Sequence, residues 1–154
     1  SPASFHGEHY AFDDVYLEPK AWRPGGPRIW LGGQSVHPRL LRRLVRYAHG
    51  FHPLGQPSDE DLALLRSGLA AAGRDLAELE LVGGLRAVFP DDHSVSPLEP
   101  ALASLPAQAA RGFTTFCIKP SQFVDEIALY PGWCREVVER AGEIAREARA
   151  GRAA

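Results

Sequence analysis

The chain has 154 residues, 45% of them hydrophobic, which suits one domain with a packed core. Its 17 basic and 19 acidic side chains nearly cancel, so nothing in the charge balance is built for nucleic acid or an anionic membrane, and a small-molecule partner is the default. No run approaches the ~20 apolar residues of a membrane span and no basic-then-apolar leader opens the chain, so a cytoplasmic location is expected.

Residues 5 to 17 alternate aromatic or apolar with polar groups (Phe5, Tyr10, Phe12, Val15, Leu17). Gly7 and Asp13-Asp14 supply turn chemistry, and the segment reads as a hairpin or extended arm. Pro19 to Pro27 carries three prolines and two glycines and reads as an irregular connector. The first strand is Ile29-Trp30-Leu31, running into Gly32-Gly33-Gln34-Ser35. Leu40, Leu41, Leu44, Val45 and Ala48 then recur at helical spacing, with Arg39, Arg42, Arg43 and Arg46 on the other side. Those arginines read as the solvated face of an outer helix, with Asp59, Glu60 and Asp61 of the next helix as natural neighbours.

A second strand-helix unit begins with Gly50-Phe51-His52-Pro53-Leu54. Ser58 and Asp61 form a capping-box variant at the start of its helix, Leu62, Leu65 and Leu69 make the buried stripe, and Gly73 ends it as a left-handed cap. Glu80 to Phe89 reads as a third strand, apolar on both faces and interrupted by Gly83-Gly84. Pro90 to Pro100 is a loop, and the helix after it, Ala101 to Arg111, is weakened by Pro106. Thr114 to Ile118 is the fourth strand. The last helix, Pro131 to about Ala150, is amphipathic through Trp133, Val137, Ala141, Ile144 and Ala148, with a Glu136–Arg140 pair across one turn. Strands alternating with helices predict a parallel sheet. The organisation expected is an arm and connector over 1–27, four βα units over 28–150 and a tail at 151–154.

In parallel α/β folds ligands lie at the carboxyl ends of strands, where helix N-termini point with unpaired amides. Gly32, Gly33, Gln34 and Ser35 occupy that place on the first strand. The glycines let backbone amides approach a phosphate, and Ser35 donates its hydroxyl or caps the helix; equally, the pair merely makes a tight turn. His52, in the next such loop (His52 to Pro57), either donates to a phosphate, lines a ring pocket or faces solvent. Arg86 and Lys119 lie where their strands open, as anion partners or ordinary ion-pair members. His6/His9 and His49/His52 each make His-x-x-His, but no carboxylate or thiol completes a metal set. Gly33-Gln34-Ser35-Val36-His37 lacks the second glycine of a nucleophile elbow, and no P-loop or Rossmann fingerprint is present. Cys117 and Cys134 have no metal-like spacing and read as reduced structural thiols. No residue stands out as a catalytic acid or base.

Pro27 to Ser35, together with Phe5-His6-Gly7-Glu8-His9-Tyr10, Glu18-Pro19-Lys20 and the run from Arg42-Arg43 to Ala48-His49-Gly50-Phe51, resembles the luciferase-like monooxygenase family. The resemblance implies the C-terminal half of a TIM-type (β/α)8 barrel, its last four strands, in a flavin- or deazaflavin-dependent oxidoreductase. A complete barrel needs ~250 residues. The resemblance also implies that the Gly32–Ser35 loop contacts the cofactor phosphate. Coenzyme F420 is preferred over FMN, because the arm, the Pro-Lys connector and the Gly-Gly-x-Ser loop look most like the F420-dependent branch. Relatives often carry an acidic residue, glycine and tryptophan at the second loop, and sometimes a lysine just beyond it; this chain has His49-Gly50-Phe51 and no lysine in the loop. Half a barrel is expected to self-associate or to dock with a missing N-terminal half, and to be inactive alone. The alternative is a non-catalytic half-barrel that serves as an assembly module. The chain starts at Ser1 and contains no Met, which reads as a truncated or processed product.

Overall fold

The computed structural model describes residues 2–153, with side chains through 147. An antiparallel hairpin, β1 (Ala3–His6) and β2 (Ala11–Val15), opens the chain. It turns at Gly7, whose amide donates to the Tyr10 carbonyl. Asp13-Asp14 is not the turn but a bulge: the register shifts opposite Ser4, and Asp14 takes a positive φ of 51°, a conformation that Asp tolerates better than most residues. The connector that follows contains no regular element, and Trp22 within it is almost wholly exposed.

The rest is one parallel sheet with helices. The strands are β3 (Trp30–Gly33), β4 (Gly50–Pro53), β5 (Glu80–Leu85) and β6 (Thr115–Ile118), in spatial order β3-β4-β5-β6. Helices α1 (Pro38–Tyr47), α2 (Asp59–Ala71), α3 (Leu98–Leu102), α4 (Leu105–Ala110) and α5 (Tyr130–Ala153) connect and follow them. Leu31, Phe51 and Leu81, aligned across three strands, pack with Leu40, Leu44, Leu65 and Leu69 of α1 and α2. Leu85, Phe116 and Ile118 pack with α3, α4 and α5. Successive strand residues face opposite sides, so both clusters lie on one face of the sheet, and among the described residues no helix joins a core cluster on the other. Sequential parallel strands backed by helices on one side form half of a (β/α)8 barrel. Fully buried Leu44, Leu65 and Leu69 each contribute about 1.5–3 kcal/mol.

Local chemistry sets the element ends. α2 starts at the Ser58–Asp61 capping box and stops at Gly73, whose φ of +71° turns the chain so that the Arg74 amide reaches the Leu69 carbonyl. The Arg74 side chain then caps a different helix, donating to the carbonyls of Val45 (2.8 Å) and Ala48 (3.2 Å) at the end of α1.

The predicted helix over 101–111 is two helices. Proline has no N–H to continue the ladder, so the chain breaks at Ala103-Ser104 and Pro106 falls in the first turn of α4, where that N–H is not needed. β5 ends at Leu85 rather than Phe89, because the Ser96 hydroxyl takes up both the amide and the carbonyl of Val88. Gly83 is explained by Gln108, whose Oε1 would stand 2.4 Å from a β-carbon there, while its Nε2 donates to the Gly84 carbonyl. Ala148, the last residue of the predicted apolar stripe on α5, lies outside the described side chains.

Candidate functional site

Gly32 and Gly33 are the last two residues of β3, so the glycine pair sits at the strand's carboxyl end. Gly32 is in register with His52 and Gly33 with Pro53, and the Leu54 amide donates to the Gly33 carbonyl. His52 thus belongs to β4 rather than to the loop after it, and its ring meets Trp30 edge-on at 6.4 Å. The five sequence-predicted site residues therefore occupy two neighbouring strand ends.

Ser35 does not cap α1. Pro38, with its fixed φ, takes the first helical position, so the cap falls on the residue before it, and His37 Nδ1 accepts from the Leu40 amide. That leaves the Ser35 hydroxyl exposed and without a hydrogen-bond partner among the described residues. Gln34 and Ser35 are both exposed, and their amides donate to no acceptor among the described residues. The next amide, Val36, is occupied: it donates to Asp61 Oδ1 at 2.7 Å, while Oδ2 of the same carboxylate accepts from the Ser58 amide. The loop therefore offers two free N–H groups and one hydroxyl, beside a carboxylate that has claimed the third amide.

The two glycines face different things. A β-carbon on Gly33 would stand 2.6 Å from Leu40 Cδ2, so a larger residue there displaces the Leu40 side chain where α1 packs on the sheet. On Gly32 it would meet only the His52 carbonyl oxygen, at 3.1 Å, on the face without helices.

Positive charge comes from the other two strands. Arg86 and Lys119, just past β5 and β6, line an open cavity of about 400 Å³ with Cys117 and Gln122. Neither makes an ion pair among the described residues. The Arg86 guanidinium also reaches 3.7 Å from where a β-carbon on Gly55 would be, which places it against the β4–α2 loop.

On the face without helices, alternation also puts Trp30, Glu80, Thr115 and Cys117, residues the sequence reading did not single out for the site. Glu80 accepts from the Thr115 hydroxyl and lies 3.8 Å from Arg28. The signal that marks them is the period of two fixed by Leu31, Phe51 and Leu81 on the opposite face.

Other candidates separate. His49 Nδ1 accepts from the Ile29 amide at the start of β3, far along the strand direction from the carboxyl-end role of His52, so this His-x-x-His does not converge. His6 pairs with Asp13 at 3.0 Å. Among the described residues no group of three or more His, Cys, Asp or Glu is placed to hold a metal ion. Cys117 and Cys134 are free and exposed. The arginines of α1 do not pair with the acids of α2: Asp59 is bound by Arg111 at 2.8 Å and Asp61 by backbone amides, while Arg46 stacks over Tyr47. The two carboxyls with lowered pKa values, Glu99 and Asp91, lie away from the site. A hydrogen bond from Arg140 lowers the Glu99 pKa, and the His93 amide with Ser94 lowers that of Asp91. No helix among the described residues is long and apolar enough to cross a membrane.

The family model for luciferase-like monooxygenases matches residues 1–118, from the hairpin to the end of β6. No curated protein matches the chain.

Proposed function

The chain belongs to the luciferase-like monooxygenase family, and from that premise we propose that it is the phosphate-gripping half of a flavin- or deazaflavin-dependent oxidoreductase. Coenzyme F420 is the preferred cofactor, with FMN the alternative, and the substrate is a small molecule. When bound, such a cofactor supplies the hydride or oxygen chemistry itself.

The chain's own residues bind and orient. The observation that carries the reading is the pair of uncommitted amides, Gln34 and Ser35, at the carboxyl end of β3 with a free hydroxyl beside them. Amides of this kind at a strand-to-helix turn suit a phosphate. Arg86, held against the loop that contains Gly55, supplies the cation that this loop lacks in its own sequence. His52 and Trp30 make an aromatic wall on the adjoining inner face, suited to one edge of a ring system. Asp61 works against the site, because its carboxylate repels an anion and holds the Val36 amide. Affinity is therefore weak, and a catalytic acid or base is not among the residues assembled here.

The test is a fluorescence titration with FMN and with riboflavin, which differ by the phosphate alone. The wild-type chain should prefer FMN, and Ser35→Pro, which removes one amide and the hydroxyl, should erase the preference. Equal binding of the two ligands by the wild type would overturn the reading.

A further inference from the structure

The exposed side of α1 is made of arginine. Arg39, Arg42, Arg43 and Arg46 are all exposed, and helical periodicity gathers them within an arc of about 100° and about 10 Å of helix length. The arc lies opposite Leu40, Leu41, Leu44 and Val45, the stripe that packs into the core, so the four side chains point away from the sheet whatever packs on either side of α1.

This arrangement works against the helix. Arg39–Arg42, Arg39–Arg43, Arg42–Arg46 and Arg43–Arg46 are like-charge neighbours three or four residues apart, and Arg39 stands in the first turn, at the positive end of the helix dipole, in a helix with no acidic residue. None of the four makes an ion pair among the described residues. The nearest acids in sequence are committed elsewhere, Asp59 to Arg111 and Asp61 to backbone amides, and Arg46 only stacks over Tyr47. A bound anion relieves the repulsion.

With Val45 and Tyr47 the arginines line an open cavity of about 550 Å³, within the size range of small-molecule sites. The chain as a whole is negative, at -2, which disfavours a nucleic-acid duplex or an anionic membrane, since each would meet the acidic surface as well. A short anion escapes that penalty. Charges are screened beyond about 10 Å at ordinary ionic strength, so a ligand no longer than the arc meets the arginines and little else. The planar fork of arginine grips phosphate through two N–H groups at once, and linked phosphates concentrate negative charge over the length that the arc offers.

We propose that the arginine face of α1 is a site for a short chain of linked phosphates, inorganic or the tail of a nucleotide. It is separate from the Gln34-Ser35 loop and rests on α1 alone.

Isothermal titration calorimetry of the 154-residue chain with inorganic tripolyphosphate, ATP and a short DNA duplex tests it. Tripolyphosphate should bind the wild type saturably. Arg39→Gln/Arg43→Gln should weaken it by about tenfold or more, with a thermal midpoint no lower than that of the wild type, because like-charge neighbours have been removed. Arg135→Gln, which takes an exposed arginine from α5, and Ser35→Pro, which disables the strand-end loop, should both bind as the wild type does. Tighter binding of ATP than of tripolyphosphate assigns the site to a nucleotide, and the reverse order assigns it to inorganic polyphosphate. No saturable binding of tripolyphosphate or ATP by the wild type, equal weakening by Arg135→Gln, or tighter binding of the duplex than of tripolyphosphate would each overturn the proposal.

Discussion

Gly33 lies directly under Leu40: a β-carbon there would stand 2.6 Å from Leu40 Cδ2 and push that side chain aside. Helix packing thus favours glycine at this position, whatever ligand the loop holds. Gly33→Ala should destabilise the fold by about 1–3 kcal/mol through overpacking, and Gly33→Leu by more. Urea unfolding measures it, and Gly84→Ala, where nothing lies within 4 Å, is the control, expected to lose little. Stability of Gly33→Ala equal to wild type would show that α1 does not rest on this glycine.

Asp61 joins two jobs with opposite consequences for stability and binding. Its carboxylate completes the α2 cap and holds the Val36 amide. Asp61→Ala should cost about 1–2 kcal/mol of stability for the lost cap, yet tighten FMN binding, because the negative charge is gone and a third amide is free. Urea denaturation and the same fluorescence titration check the two signs. Weaker FMN binding by a folded Asp61→Ala variant would contradict this account of the loop's electrostatics.

Arg74 ties the end of α2 to the end of α1 through the carbonyls of Val45 and Ala48. Removing it leaves those acceptors without their charged donor. Arg74→Ala should cost about 1–3 kcal/mol, and Arg74→Lys should recover only part, since one ammonium cannot reproduce the planar fork. Full recovery by lysine would show that charge alone matters there.

Glu99 carries a pH dependence whose sign is fixed by its partner. The Arg140 hydrogen bond lowers its pKa in the folded chain below the ordinary 4.5. A depressed folded pKa means that the contribution is present above the unfolded value and is lost as pH falls through the folded one. The stability difference between wild type and Glu99→Gln should therefore be constant at neutral pH and shrink as pH drops below 4.5. Urea midpoints measured across that range check it, and a difference that grows in acid would contradict the assignment.

What was legible in the sequence was local. The α2 ends were readable because Ser58, Asp61 and Gly73 act on their own neighbours. The strand-helix alternation was readable because Leu31, Phe51 and Leu81 face helices whose apolar stripes have the matching period. Ser35 misled because serine is the stronger capping signal, while Pro38 moves the helix start so that His37 takes the cap. Pro106 marked a break but not its place, since proline is tolerated in a first turn. Arg86 beside Gly55, Arg74 on α1 and Asp61 on the Val36 amide were not legible, because each joins elements distant in sequence.

If the Gln34 and Ser35 amides hold the phosphate, their own resonances report it. In ¹⁵N-labelled protein titrated with FMN, the Gln34 and Ser35 N–H signals should show the largest shifts, and the same two should move much less with riboflavin. Shifts concentrated on the arginine face of α1 (Arg39, Arg42, Arg43, Arg46), with Gln34 and Ser35 unmoved, would contradict the account.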